Sequence, residues 1–287
     1  MRLPFLVLTP ACVLLGFAAA TWASGQANWL HFSIALIGAI SAHISVNAFN
    51  EYFDFKSGLD TRTQRTPFSG GSGTLPAMPE MERPALIMAW ATFALTATIG
   101  VYFLTIRGLA LLPLGILGLI IIFAYTNWII RNPLLCLITP GLGFGTFMVM
   151  GTYFVLTGEY SWTALVASLI SFFLVSDLLL LNQFPDVEAD QSIERKHYPI
   201  TIGKQRSARI YVAFLILAYI SIIVGVFTNY LPITSLLGLI TIVIGIPVIK
   251  SVLQNADDVE KLIPAMGQNV VINILTPVLV AIGLFIG

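Results

Sequence analysis

Asn47-Ala-Phe-Asn50-Glu51-Tyr-Phe-Asp54-Phe-Lys56-Ser-Gly58-Leu-Asp60 closes an apolar run over residues 29–49 that is long enough to cross a bilayer. On a helix, at about 100° per residue, Asn47, Asn50 and Asp54 share an arc of roughly 60°. The run therefore ends in a stripe of amide and carboxylate oxygens. A second stretch repeats the pattern after the apolar run 162–181: Asn182-Gln183-Phe-Pro185-Asp186-Val-Glu188-Ala-Asp190, with Asn182 and Asp186 again four apart. Asn182, Asp186 and Asp190 span roughly 80° if the helix continues through Pro185. A carboxylate at a helix C-terminus opposes the dipole, so helix chemistry alone does not place Asp54 and Asp186 where they stand. Carboxylates gathered in this way repel one another unless a cation joins them, and hard oxygen ligands favour Mg²⁺.

The composition fits this reading. Of 287 residues, 57% are hydrophobic and 10% charged, with a mean hydropathy of +0.90. Soluble domains carry about 25% charged residues, so this chain is built for lipid. Its formal net charge is zero, which argues against nucleic acid as a partner. Cys12 and Cys136 lie inside apolar runs and read as packing residues.

Apolar runs near 4–24, 29–49, 84–104, 109–129, 134–155, 162–181, 208–227, 234–253 and 267–286 predict about nine transmembrane helices. The expected fold is an all-α polytopic bundle forming one domain over 1–287, with two pseudo-repeated four-helix halves and one helix left over. Arg2 and the Ala20-Thr-Trp-Ala23-Ser24 stretch also resemble a secretory leader; the reading kept is a retained first membrane helix. With the N-terminus inside, the inner side collects Arg2, Lys56, Arg62, Arg65, Arg83, Arg131, Arg195, Lys196, Lys204, Arg206, Arg209, Lys250 and Lys261. Of the 14 basic residues, only Arg107 then falls outside. Both acidic motifs are expected on the cytoplasmic face, at the ends of the second and sixth helices.

The long inner links, 50–83 and 182–207, hold most of the chemistry, as long loops in compact domains often do. Arg62 and Arg65 follow the first motif, and Arg195 and Lys196 the second. Positive-inside topology supplies some cations here, but cations beside carboxylates also suit an anion bridged by metal. Arginine forks match phosphate oxygens, so a diphosphate is the natural ligand. Thr66-Pro-Phe-Ser-Gly70-Gly71-Ser-Gly73-Thr74 reads either as a flexible turn or as a loop presenting backbone N–H groups to phosphate. Tyr125 and Thr126 end the fourth helix on the same side. Asp177 lies within the sixth span and is either functional or a hydrogen-bonded bundle residue. His31 and His43 lack metal-ligand spacing and read as packing residues; His197 is a weak contact candidate.

These residues resemble the UbiA superfamily of intramembrane prenyltransferases. The resemblance rests on Asn50-Glu-Tyr-Phe-Asp54, Asp60, the Arg62–Gly73 segment, Tyr125-Thr126, Asn182 to Asp190, and Arg195-Lys196-His-Tyr-Pro-Ile-Thr-Ile-Gly203. It implies transfer of a polyprenyl group from an allylic prenyl diphosphate to an aromatic acceptor in the membrane. The implied catalytic carboxylates are Asp54, Asp60, Asp186 and Asp190. Asn50, Asp54, Asn182, Asp186 and Asp190 are the implied Mg²⁺ ligands. Arg62, Arg65, Lys196, Tyr125 and Asn47 would hold the diphosphate. The five-residue gap between Asp54 and Asp60 looks more like the menaquinone-pathway (dihydroxynaphthoate) branch than the hydroxybenzoate branch.

Other acceptors stay open: 4-hydroxybenzoate, homogentisate, haem, chlorophyllide or a glycerol lipid. From a different class, an ion-coupled transporter would also carry membrane carboxylates. Its site would lie near the midplane, whereas only Asp177 lies within a span here. A diphosphate that stays near water and a tail that stays in lipid predict an apolar cavity capped by the two long inner links. Asn50, Asp54, Asn182 and Asp186 should face one another at its mouth. The expected location is the inner or plasma membrane of a bacterial or archaeal cell.

Overall fold

The computed structural model of the protein describes residues 3–63 and 65–287, which are helical and contain no strand. Arg2, counted above with the inner cations, lies outside the described residues. Among the described residues, eight helices are long and apolar enough to cross a membrane: α1 (Phe5–Ser24), α2 (Trp29–Ser57), α3 (Pro79–Arg107), α5 (Pro133–Thr157), α6 (Trp162–Asn182), α7 (Lys204–Phe227), α8 (Ile233–Gln254) and α9 (Val259–Ile286). They make the chain an integral membrane protein. Between α3 and α5 runs a shorter apolar helix, α4 (Leu109–Ala124).

The all-α expectation therefore holds, and the count of nine becomes eight spans and a shorter helix. The fourth expected span, 109–129, stops at Ala124 because residues 125–128 turn instead of continuing the helix. Other spans run further than their apolar cores. α9 begins at Val259 rather than 267, because the Asp258 side chain accepts from the N–H of Lys261 and caps it.

Lipid tails are as apolar as leucine, so the helices are held by close packing rather than by escape from water. α1 and α6 are the most deeply buried spans. With α5, α7, α8 and α9 they form the main core, around Leu15, Val149, Ile170, Leu174, Leu215 and Met266. Gly16 lets α1 approach α5 so closely that a Cβ there would meet the carbonyl oxygen of Val149 at 2.5 Å. α5 itself departs from regular geometry. Pro140 lies inside its first half, and Leu142–Met150 winds as a π-helix.

α2, α3 and α4 pack as a second group on a smaller cluster, Ala48, Phe49, Ala89 and Ile122. The two groups meet at the end away from the motifs, where Phe103, Leu111, Phe154 and Val155 pack together. Between them lies a cavity of about 600 Å³. Its lining on α2 runs from Ala35 to Asp54, about 28 Å at 1.5 Å per residue. Small residues on the facing helices, Ala39 and Ala42 from α2 and Gly100 from α3, keep this space open.

Asp177 does not line the cavity, whereas its neighbours Leu178 and Leu179 do. It is fully buried against α7 and α9 instead. Asn269 donates to its Oδ1 at 3.5 Å and accepts from Tyr211 at 3.0 Å. Of the two readings of Asp177, the hydrogen-bonded bundle residue fits this placement.

Candidate active site

α2 carries the first motif on a continuous helix, and Gly58 ends it in the left-handed conformation with φ 74. Its backbone N–H returns to the carbonyls of Asp54 and Phe55. Asp60 follows in a short 3₁₀ turn and is 6% exposed. Asn47, Asn50 and Asp54 do face one way, into the cavity mouth, and Asp60 joins them there.

The second motif is built differently. α6 ends at Asn182, residues 183–186 form turns, and a separate short helix starts at Val187. The continuous stripe expected through Asp190 is broken because Pro185 has no N–H to give and its ring opposes a helical predecessor. Asn182, Asp186 and Asp190 nevertheless all line the mouth. The turn, not a helix face, aims them.

The glycine loop ties the two motifs together. Thr66 Oγ1 accepts from the N–H groups of Phe68 and Ser69 at 3.1 and 2.9 Å, fixing its start. Gly70, Gly71 and Gly73 then take positive φ values of 80°, 67° and 74°. That path lets Gly70 N–H donate to Oδ2 of Asp186 at 3.1 Å. Two residues later the N–H and hydroxyl of Ser72 donate to the Glu51 carboxylate at 2.9 and 2.6 Å. The loop is thus ordered over the mouth by carboxylates from both motifs.

Arg195 is the central cation. Its guanidinium donates to Oδ1 of Asp54, and to Oδ1 of Asp190 at 2.8 Å. His197 Nε2 lies 3.0 Å from the other Asp190 oxygen. Burial alone would raise the Asp190 carboxyl. The His197 hydrogen bond and the Arg195 charge outweigh it, holding Asp190 below its usual 3.8. Burial likewise works against the Arg195 charge, but Asp54 and Asp190 more than compensate and raise its pKa. Tyr125 lines the same mouth, where burial lifts its hydroxyl well above the usual 10.0.

Three expected residues stand elsewhere. Arg62 reaches outward to donate to Ser192 at 3.3 Å. Arg65 lies with its guanidinium against Gly73. Lys196 lines a separate surface hollow with Arg131 and Glu194. None of the three is among the described residues that line the main cavity. Arg195 turns inward to Asp54 and Asp190, whereas its neighbour Lys196 faces the surface hollow. Spacing alone gives no way to choose between them. Glu51 has no role in the sequence reading although it lies within the first motif, and His197, a weak contact candidate there, proves to contact Asp190.

Two amide oxygens complete the mouth. Asn50 commits its Nδ2 to Thr126 at 3.3 Å, which leaves its Oδ1 as the atom offered to the cavity. Oδ1 of Asn182 is buried without a hydrogen-bond partner, an orphan that a bound cation would satisfy. Among the described residues no three Asp, Glu, His or Cys side chains converge as metal ligands. The oxygens come instead as amide–carboxylate pairs, one pair from each motif.

The sequence pattern of the UbiA prenyltransferase family matches residues 9–286. The chain belongs to that family. Its relatives include 1,4-dihydroxy-2-naphthoate octaprenyltransferase of Haemophilus influenzae, 25% identical over an alignment of 297 positions, gaps included, that covers 98% of this chain and 93% of the relative. The enzyme of the same name from Bacillus subtilis is 27% identical over 210 residues, covering 71% of this chain. The chain spans 65% of the length of that relative. Among solved structures, the apo form of a UbiA homolog from Aeropyrum pernix superposes with a TM-score of 0.76 at 16% identity, covering 100% of this chain and 98% of the other. A UbiA homolog from Archaeoglobus fulgidus, bound to DMAPP and Mg²⁺, superposes at 0.60 with 17% identity, each chain 98% covered. These likenesses establish the UbiA fold for the chain.

Proposed function

We propose that this UbiA family member transfers a polyprenyl group from an allylic prenyl diphosphate to a 1,4-dihydroxy-2-naphthoate-like acceptor in menaquinone biosynthesis. One observation carries the reading. Asn50 and Asp54 from one motif and Asn182 and Asp186 from the other line one mouth, above a largely apolar cavity that runs about 28 Å along α2. A prenyl diphosphate has this polarity: each methylene gains about 0.8 kcal/mol from burial, while the diphosphate must remain with charged partners. The naphthoate acceptor rests on the Haemophilus influenzae and Bacillus subtilis relatives.

The four oxygen-bearing side chains and the buried orphan oxygen of Asn182 fit a hard cation. Asn50, Asp54, Asn182 and Asp186 would hold Mg²⁺, with Asp60 and Asp190 supporting them. The ion supplies charge neutralisation for the diphosphate and so lowers the barrier to its departure. Arg195 adds a fixed guanidinium at the same place, and the glycine loop, tied to Asp186 and Glu51, closes over it. Asn47 and Tyr125 line the wall between mouth and cavity. As the allylic C–O bond breaks, its electron pair leaves with the diphosphate and the cationic carbon is attacked by the electron-rich ring, which then loses a proton. The apolar walls keep water from that carbon. On the asymmetry of basic residues, the N-terminus and the mouth face the cytoplasm, and residues 1–287 act as one domain.

The test incubates purified protein in lipid nanodiscs with Mg²⁺, labelled prenyl diphosphates and a panel of aromatic and glycerol acceptors, then identifies the product by mass. The expected product is the prenylated acceptor, as the prenylated dihydroxynaphthoate where the attacked carbon loses a proton and as the prenylated naphthoquinol where it loses its carboxylate as CO₂. A product formed only from hydroxybenzoate or a glycerol lipid would replace the acceptor, and no product from any acceptor would overturn the function.

A further inference from the structure

The cavity gathers its ionisable side chains at the mouth, with one exception among its described lining residues. His43 stands on α2 four residues before Asn47 and seven before Asn50, on the same helix face. At 1.5 Å per residue it lies about 10 Å deeper than Asn50. Its surroundings there are apolar: Ala42 and Val46 on α2, Leu8 on α1 and Phe144 on α5. The side chain is 5% exposed. A buried imidazole in such a setting loses free energy unless its nitrogens find partners.

One nitrogen has found its partner. Thr9 Oγ1, from α1, lies 2.7 Å from Nδ1. The ring also meets Phe144 of α5 edge to face, with centroids 4.7 Å apart and planes at 83°. Contacts from two helices fix both the position of the ring and its plane. Nε2 is then the hydrogen-bonding atom that the ring has left for the cavity. In one neutral tautomer it donates and in the other it accepts, so it can serve an oxygen either way.

We propose that His43 binds the second substrate, its Nε2 hydrogen-bonding an oxygen of the aromatic acceptor and so setting the depth of the acceptor ring below the diphosphate. The inference rests on the prenyltransferase reading above. The prenyl tail has no polar atom to offer an imidazole, and the diphosphate is held at the mouth. An aromatic acceptor is a flat apolar body with a few oxygens, and an oxygen at this depth needs a partner. Anchoring it from below leaves the ring's nucleophilic carbon in line with the allylic carbon above, which is worth more than binding alone.

His43→Phe keeps the bulk and the Phe144 contact but removes the hydrogen bond, while His43→Gln keeps a hydrogen-bonding group at that depth. In nanodiscs with Mg²⁺, His43→Phe should raise the KM for the naphthoate acceptor at least tenfold. The KM for prenyl diphosphate should stay within twofold and the thermal midpoint unchanged. His43→Gln should recover part of the loss. An unchanged acceptor KM, or a parallel rise in both KM values with a lower midpoint, would overturn the role and leave His43 as a tie between α1 and α2. Should His43→Phe not fold, acceptor analogues lacking one hydroxyl are compared on the wild type and on Thr9→Val, where the ring is no longer held. One analogue should bind at least tenfold more weakly than its parent to the wild type, and that difference should shrink in Thr9→Val. Equal binding of all analogues, or an unchanged difference, overturns the role. Absence of any prenylated product of the naphthoate acceptor from the wild type would instead overturn the function on which it rests.

Discussion

Arg195 and Asp54 meet across 141 residues of chain, the guanidinium donating through Nη2 to the carboxylate. The same guanidinium holds Asp190 through Nη1. One protein cation thus joins the carboxylates of the two acidic motifs, and the side chains on both sides are largely shielded from water, 13% exposed for Arg195 and 10% for Asp54.

Removing that cation should destabilise the metal-free protein. Arg195→Ala leaves two carboxylates facing each other, and breaking a buried pair costs about 3–5 kcal/mol. Because the mouth admits some water, about 2–3 kcal/mol is expected here. Mg²⁺ should then raise the thermal midpoint of Arg195→Ala more than that of the wild type, since it replaces the missing charge. Equal shifts in a paired thermal-unfolding series would show that the cation is not shared in this way.

Asp190 gives a pH prediction. Its folded pKa lies below the ordinary 3.8, so its contribution to stability is present above that value. It is lost as pH falls through the folded pKa. His197→Ala removes one of the interactions that depress it, so the loss should begin at higher pH. Acid unfolding followed from about pH 5 to 2 should show the variant unfolding first; coincident curves would contradict the coupling.

The glycine loop tolerates little. Gly71 has φ 67°, and a Cβ there would meet Oδ1 of Asp60 at 2.7 Å. Gly71→Ala adds the cost of a left-handed alanine, about 1–2 kcal/mol, to that clash. The loop should lift from the mouth, raising the KM for prenyl diphosphate while far-ultraviolet circular dichroism stays unchanged. A wild-type KM would mean that the loop does not contact the diphosphate.

Topology is open to labelling. Thr61 and Glu159 are exposed at opposite ends of the bundle, and Cys12 and Cys136 are buried. An impermeant thiol reagent should label Thr61→Cys only from the cytoplasmic side and Glu159→Cys only from the other. Labelling of both from one side would reverse or break the assigned orientation.

The first motif was legible because periodicity and chemistry agree there: an unbroken helix turns Asn47, Asn50 and Asp54 to one side whatever surrounds it. The second was legible in composition but not in geometry, since Pro185 replaces a helix face with a turn whose path depends on tertiary contacts. Arg195 and Lys196 mark the limit of reading charge from sequence. Both are cations beside carboxylates, and the choice between them is made by Asp54, 141 residues away. His43 read as a packing residue because nothing nearby in sequence shows that Thr9 takes one nitrogen and a cavity lies beside the other. The fourth helix fell short of a full span for a local reason, the turn at residues 125–128, which an apolar tally does not register.

The central claim is that the two motifs act as one metal-dependent diphosphate site. Prenyl transfer measured across a Mg²⁺ titration after chelation, for the wild type, Asp54→Asn and Asp186→Asn, tests it most directly. Each substitution keeps the shape and removes one charge from the mouth. The wild type should be inactive without Mg²⁺ and recover with it, and both variants should lose turnover at every Mg²⁺ concentration while remaining folded. Turnover by chelated wild type, or wild-type rates from either variant across the titration, would contradict it.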